Sequence, residues 1–201
     1  MEKFIRDYLL RLKENNVNID SVVLEQNGIT KEVVINDVDL HELRSCSKLL
    51  IAFAYGIAIN ERMICKTTGK VIDLETSVYD TFSKICDYRL DEKIKQWTIR
   101  TLLTHSTGYS KMMCSAKEII AQNINTENLI FEILKTSIDN EPNQNFVYNN
   151  AEPYLLSVFF YENFGINISD FVAEKIFKPL NINKYRWDNY GKYCAAATGL
   201  Y

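Results

Sequence analysis

Apolar residues at Phe4, Ile5, Tyr8, Leu9 and Leu12 recur at intervals of three and four between charged neighbours, which predicts an amphipathic helix ending in the Asn-rich stretch 15–18. Two β-branched runs follow at 21–25 and 32–35, separated by a turn region holding Asn27-Gly28-Ile29-Thr30. Asn-Gly between such runs is the strongest short hairpin signal. From about 45 to 60 the pattern returns to helix. Leu49, Leu50, Phe53, Ile57 and their neighbours leave almost no polar face, so this helix is expected to be central and buried. Further helices are expected at 76–86, 98–105, 126–137, 151–163 and 169–177. Thr98 and Thr126 stand as N-caps, Gly165 closes one helix and Pro179 follows another. Between 45 and 179 there is no alternating run, internal repeat or linker-like tract, and the remainder reads as loop. The chain therefore divides into a helix-and-hairpin region, 1–44, and a mainly helical region, 45–201.

Composition narrows the class. With 201 residues, 47% of them hydrophobic and only seven Gly and three Pro, the chain has apolar mass for a real core and no signature of disorder. Lys and Arg number 23 against 26 Asp and Glu, for a net charge of -3 without a basic cluster, so the electrostatic footprint of a nucleic-acid binder is absent. The first residues alternate charged and apolar positions, unlike a signal peptide. The longest apolar run, 49–59, falls short of the roughly 20 residues that span a bilayer. A cytoplasmic location without membrane association is expected. Five cysteines (Cys46, Cys65, Cys86, Cys114, Cys194) form no C-x-x-C pair and have no His at ligand spacing, so reduced thiols are expected and neither a metal nor a cofactor is.

The chemistry must come from few residues. There is no G-x-S-x-G, H-E-x-x-H, G-x-x-x-x-G-K-[ST] or G-x-G-x-x-G. The two histidines sit beside helix ends: His105, in Thr104-His105-Ser106-Thr107-Gly108, is expected to cap the last carbonyls of its helix, and His41 to be structural. What remains is Ser45-Cys46-Ser47-Lys48. On a helix, residues three apart share a face with a rise of about 4.5 Å, so the Lys48 amine can reach the Ser45 hydroxyl. Burial lowers a lysine's pKa and makes it usable as a base toward serine, while the helix N-terminus offers N–H groups where an oxyanion develops. Short patterns of this kind arise by chance, and so does Tyr-x-Asn, present at Tyr148-Asn149-Asn150 and at Tyr161-Glu162-Asn163. Tyr148 is preferred because it sits in a polar loop entering a helix, where a phenol can face a cleft.

Four segments in order resemble one family: Leu43-Arg44-Ser45-Cys46-Ser47-Lys48, then Trp97 through Tyr109 with Leu102-Leu103-Thr104-His105-Ser106-Thr107-Gly108, then Phe146-Val147-Tyr148-Asn149-Asn150, then Ile176-Phe177-Lys178-Pro179-Leu180. They are similar to the beta-lactamase-related serine hydrolases, which include class C beta-lactamases, DD-peptidases, esterases and 6-aminohexanoate-dimer hydrolases, over about residues 18–201. The resemblance implies an α/β (α+β) penicillin-recognising fold, with a helical region beside an antiparallel sheet and the cleft between them. It implies Ser45 as the acylated nucleophile, Lys48 as its proton partner and Tyr148 as the group exchanging protons with Ser45 and the leaving group. Asn150 would hydrogen-bond a substrate carbonyl or amide, and the substrate would be a small ester, amide or lactam.

One feature of that family has no counterpart here. A third motif, K-T-G or H-x-G, is expected on a cleft-lining strand well after Tyr-x-Asn, whereas Lys66-Thr67-Thr68-Gly69 has an extra residue and lies too early. Losing an oxyanion donor costs about 10²–10³ in kcat. The sequence thus leads to the expectation of a truncated, split or degraded longer hydrolase with impaired activity, its hairpin left as a two-stranded ribbon. The alternative is a non-catalytic remnant or binding module, pairing with a partner or itself through the open sheet edge.

Overall fold

The computed structural model describes residues 2–114, 119 and 124–201, and the chain forms two units, 1–41 and 42–201. In the first, helix α1 (Glu2–Glu14) precedes an antiparallel hairpin of β1 (Ser21–Gln26) and β2 (Ile29–Val34), in register from Ser21 opposite Val34 to Gln26 opposite Ile29. Asn27 and Gly28 both take positive φ, 54° and 74°, as the two central residues of a type I′ turn must. The apolar positions of α1 split between faces. Ile5 is buried and Leu9 and Leu12 half-buried, while Phe4 and Tyr8 lie one step round the helix and stack on each other in the open, centroids 6.2 Å apart.

The second unit contains α2 (Ser47–Asn60), α3 (Tyr79–Ile85), α4 (Ile99–Leu103), α5 (Leu129–Lys135), α6 (Ala151–Phe164) and α7 (Ile168–Val172), then a small hairpin of β3 (Asn189–Tyr190) and β4 (Tyr193–Cys194). The central helix is α6, not α2. All ten residues from Ala151 to Phe160 are buried, because α2, α3, α4, α5, α7 and β4 pack around it. In α2, Ile51, Ala54, Tyr55 and Ala58 face this core while Leu49 and Phe53 remain 60% and 56% exposed. All-round apolarity measures the lack of polar groups, not the presence of partners on every side, so the expectation of full burial fails for α2.

Local chemistry explains the helix boundaries. Thr98 caps α4 in a reciprocal capping box with Thr101. A 3₁₀ turn, Thr126–Asn128, precedes α5, and the cap is Asn125, whose side chain accepts from the Glu127 N–H, so Thr126 is not the cap. α3 begins later than expected because Ser77 bridges to Thr98 and the Val78 N–H donates to the Trp97 carbonyl. Gly165, at φ 69°, ends α6, and a π turn, Ala173–Phe177, continues α7 toward Pro179. The β3–β4 hairpin lies in sequence read as loop, since two-residue strands are too short for a visible alternation. Trp97 is buried and donates from Nε1 to the Thr107 carbonyl at 2.9 Å, which fixes the segment after α4.

Gly108 closes that segment at φ 94°, and a Cβ there would lie 2.5 Å from the Asn140 carbonyl oxygen. Gly165 has open space but also needs a left-handed backbone. Gly165→Ala is therefore expected to cost about 1–2 kcal/mol from backbone strain alone. Gly108→Ala should cost about 3 kcal/mol or more, since strain and a backbone clash combine. Urea unfolding of the two variants measures the difference.

Candidate active site

Ser45 occupies the middle of a 3₁₀ turn, Arg44–Cys46, that leads directly into α2. Arg44 has φ 46°, a left-handed backbone held by later contacts: the Ser47 hydroxyl lies 2.8 Å from both the Arg44 and Ala196 carbonyls and can donate to either. Residues 195–197 thereby grip the start of α2. The Arg44 side chain is exposed, with Nε 3.7 Å from Glu42, and is too solvated for that pair to matter much.

One turn along, Lys48 Nζ meets three oxygens: Ser45 Oγ at 3.1 Å, Asn150 Oδ1 at 2.7 Å and the Ala197 carbonyl at 3.0 Å. It also stands 4.9 Å from the centroid of the Tyr148 ring. The Tyr148 phenol interacts with both Ser45 and Lys48, and the residue is 41% exposed. The fold thus brings Ser45, Lys48, Tyr148 and Asn150 together.

Tyr148 and Asn150 are presented by the start of α6, and the residue between them anchors it. Asn149 is fully buried; its Oδ1 accepts from the Met113 and Ala151 N–H groups at 3.0 and 3.1 Å, and its Nδ2 donates to the Lys111 carbonyl at 3.2 Å. Asn150 receives Lys48 on Oδ1 and donates from Nδ2 to the Cys114 carbonyl at 3.3 Å, leaving one amide proton for a substrate. The second Tyr-x-Asn sits elsewhere. Tyr161 is half-buried against Tyr193, and Asn163 bonds Cys65, Thr67 and Thr81 near the far end of α6, roughly 20 Å along the axis. Lys66–Gly69 forms a turn at that same far end, tied down through Thr67.

Electrostatics act in opposite senses on the two proton carriers. Burial lowers the Lys48 pKa, against the opposing pull of Tyr148 and Glu152, and the net shift is downward. For Tyr148 burial pushes upward, but its bonds to Ser45 and Lys48 and the lysine's charge outweigh that, and its pKa also falls. The oxygens around Nζ suit both forms of the lysine. An ammonium donates three protons to them; a neutral amine donates two, to Asn150 and Ala197, and turns its lone pair to the Ser45 hydroxyl.

Sequence reading missed the Ala197 carbonyl, which no side-chain pattern can announce, and Ser47, whose hydroxyl reads as ordinary helix-start chemistry. It also missed where the ring of His105 points. Thr104 bonds the Arg100 carbonyl from its N–H and hydroxyl at 2.9 Å each, and His105 helps close α4 through its backbone N–H on the Leu102 carbonyl at 3.3 Å, while its ring turns toward Glu152 and Tyr148. His41 is structural in its own unit, 3.3 Å from Asp20. Among the described residues, no group of three or more His, Cys, Asp or Glu could hold a metal, and no helix is long and apolar enough to cross a membrane.

Comparison with known proteins gives a consistent result. The family model described as Beta-lactamase matches residues 32–201. No curated protein matches. Among solved structures, the chain is similar to a class C beta lactamase at TM-score 0.71 and 15% identity, covering 99% of this chain and 62% of that one. It is similar to a beta-lactamase/D-alanine carboxypeptidase from Pseudomonas syringae at TM-score 0.66 and 18% identity, covering 97% and 59%. An octameric penicillin-binding protein homologue from Pyrococcus abyssi gives TM-score 0.65 and 16% identity, covering 94% and 44%. At such identities the likeness is one of fold, and the chain spans about half the length of the solved chains it matches.

The two pKa shifts have a stability consequence of definite sign. A tyrosine whose folded pKa is depressed stabilises the fold above that pKa; a lysine whose folded pKa is depressed costs stability below it, and the cost fades as pH rises. In the range just below and across the ordinary values of 10.0 for tyrosine and 10.5 for lysine, both contributions make stability rise with pH. The stability difference between the unsubstituted chain and a Lys48→Met/Tyr148→Phe variant should therefore grow in favour of the former across that window, as measured by urea unfolding at stepped pH.

Proposed function

The chain belongs to the beta-lactamase family, and on that premise we propose that Ser45, Lys48 and Tyr148 form an acyl-transfer site for a small ester, amide or lactam. The observation that carries this reading is the set of contacts around Lys48 Nζ, which ties the serine turn to the Tyr-Asn-Asn segment from 100 residues further along the chain. In the acylation step the Ser45 hydroxyl gives its proton to the deprotonated Lys48–Tyr148 pair as Oγ attacks the carbonyl carbon. Collapse of the tetrahedral intermediate breaks the bond to the leaving group, which takes a proton from Tyr148. Water then repeats the sequence on the acyl-enzyme, releasing the acid and restoring Ser45. Asn150, with its one uncommitted amide proton, would hold a carbonyl of the substrate beside the nucleophile.

Within these 201 residues no K-T-G or H-x-G supplies a second oxyanion donor. Turnover by them alone should be slow, by about 10²–10³, while acylation by a strongly electrophilic probe remains open. Five cysteines with no C-x-x-C pair suit a reducing compartment and support a cytoplasmic address.

A second reading, a binding module without turnover, is supported by the two-stranded sheet of the first unit, where Val23, Ile29 and Val34 are each more than half exposed. A monodisperse, stable monomer by light scattering would count against it.

The direct test is covalent. A fluorophosphonate probe should add to Ser45, located by peptide mass spectrometry, and labelling should vanish in Ser45→Ala and fall at least about 10²-fold in rate in Lys48→Met. Absence of labelling in the folded, unsubstituted chain at high probe concentration would remove the hydrolase reading.

A further inference from the structure

Glu152 lies in the first turn of α6, fully buried, and has no part in the acyl-transfer scheme. A carboxylate so enclosed requires partners. Thr107 Oγ1 donates to its Oε1 at 2.7 Å, and His105 Nδ1 lies 3.3 Å from its Oε2. Among the described residues, His105 is the one basic side chain within 4.0 Å of the Glu152 carboxyl, and it is only 12% exposed.

The other faces of the imidazole point to its role. Its ring centroid is 5.4 Å from that of Tyr148, tilted by 34°, and Phe146 meets it edge-on at 5.8 Å. The main chain adds a second grip, for the His105 carbonyl accepts from the Val147 N–H at 2.9 Å, immediately before Tyr148. His105 reaches this position through a left-handed φ of 51°, in the segment that Trp97 and Gly108 fix from behind. Its backbone N–H also helps close α4 on the Leu102 carbonyl at 3.3 Å, a role that needs none of these ring contacts.

We propose that His105, held in one rotation and tautomer by buried Glu152 and Thr107, is a positioning residue that sets the Tyr148 phenol against Ser45 and Lys48. The carboxylate accepts the Nδ1 proton, the ring forms a wall behind the phenol, and Phe146 closes the other side. Its consequence for acyl transfer rests on the hydrolase reading above; the geometric claim does not. The titratable groups facing Tyr148 are Lys48 and Cys46 from the start of α2 and His105 from the segment after α4, with Glu152 of α6 behind the imidazole.

The test follows Tyr148 itself. Tyrosinate absorbance is titrated in the 201-residue chain and in Tyr148→Phe, and the difference isolates the Tyr148 midpoint; the same pair of titrations is run in the His105→Ala and His105→Asn backgrounds. If the imidazole positions the phenol, His105→Ala lets it leave Lys48 and the midpoint rises by about half a pH unit or more. His105→Asn, which tolerates the left-handed φ and keeps a polar group near Glu152 but lacks the ring, should move it the same way. An unchanged midpoint in His105→Ala with a lowered melting temperature would reduce His105 to scaffold and overturn the proposal. Should that variant not fold, an unchanged midpoint in His105→Asn overturns it equally. A shifted midpoint in a chain whose Ser45 takes no fluorophosphonate would uphold the positioning role while removing the hydrolase reading.

Discussion

The candidate site depends on one nitrogen being held by three oxygens. Lys48 Nζ draws Ser45 from the turn before α2, Asn150 from the start of α6 and the Ala197 carbonyl from the segment after β4 into a single contact set. Remote parts of the chain must each be correct to within a hydrogen bond for this to form. The strain at Arg44 and Ala196, both non-glycine residues at positive φ, sits on either side of that contact, bridged by the Ser47 hydroxyl. Strained backbone persists where the surroundings over-determine it, and here the surroundings are α2 and the 195–197 segment.

The rigidity behind this contact comes from α6. A helix buried on every side cannot roll or slide without losing packing along its length, so the residues at its start inherit a fixed position. Asn149 extends that order one residue outward by satisfying two backbone donors and one carbonyl at once. Tyr148 is then half outside the packed region, exposed enough to meet a substrate yet held from behind. The buried Glu152 is the cost of this arrangement, a polar group placed in the core and matched there by Thr107 and His105.

The parts legible in the sequence were those with a side-chain or backbone signature of their own. Asn27-Gly28 marked the hairpin because few residues accept positive φ twice in succession, and Thr98 marked α4 because its hydroxyl and that of Thr101 answer each other. The S-x-x-K spacing and the preference for Tyr148 over Tyr161 rested on helix geometry and on which motif stood in a polar loop; Lys48 does reach Ser45, although Ser45 lies in the 3₁₀ turn before α2 and not on the helix itself. The centre of the fold was misread because α2 and α6 are both apolar, and no single-helix pattern says how many neighbours surround each; Leu49 and Phe53 in solvent, and Glu152 in the core, are the two halves of that error. Backbone groups such as the Ala197 carbonyl carry no sequence signal at all. His105 was visible as a residue, but its role depends on a left-handed turn that aims the ring inward.

Coupling between Lys48 and Tyr148 resolves an apparent difficulty, that two groups titrating near pH 10 should supply a base at lower pH. The lysine's charge favours the phenolate, the phenolate favours the ammonium, and burial disfavours the ammonium, and both residues end with a lowered pKa. What matters for chemistry is the first macroscopic proton lost from the pair. Once it has gone, the remaining proton can reside on nitrogen or on phenol oxygen, and in both arrangements a basic atom is left beside Ser45. The contacts around Nζ accommodate either location without moving a heavy atom, since Asn150 and Ala197 accept from amine and ammonium alike. A site built in this way needs no histidine in the proton path, and the one histidine close by serves it by holding the phenol still.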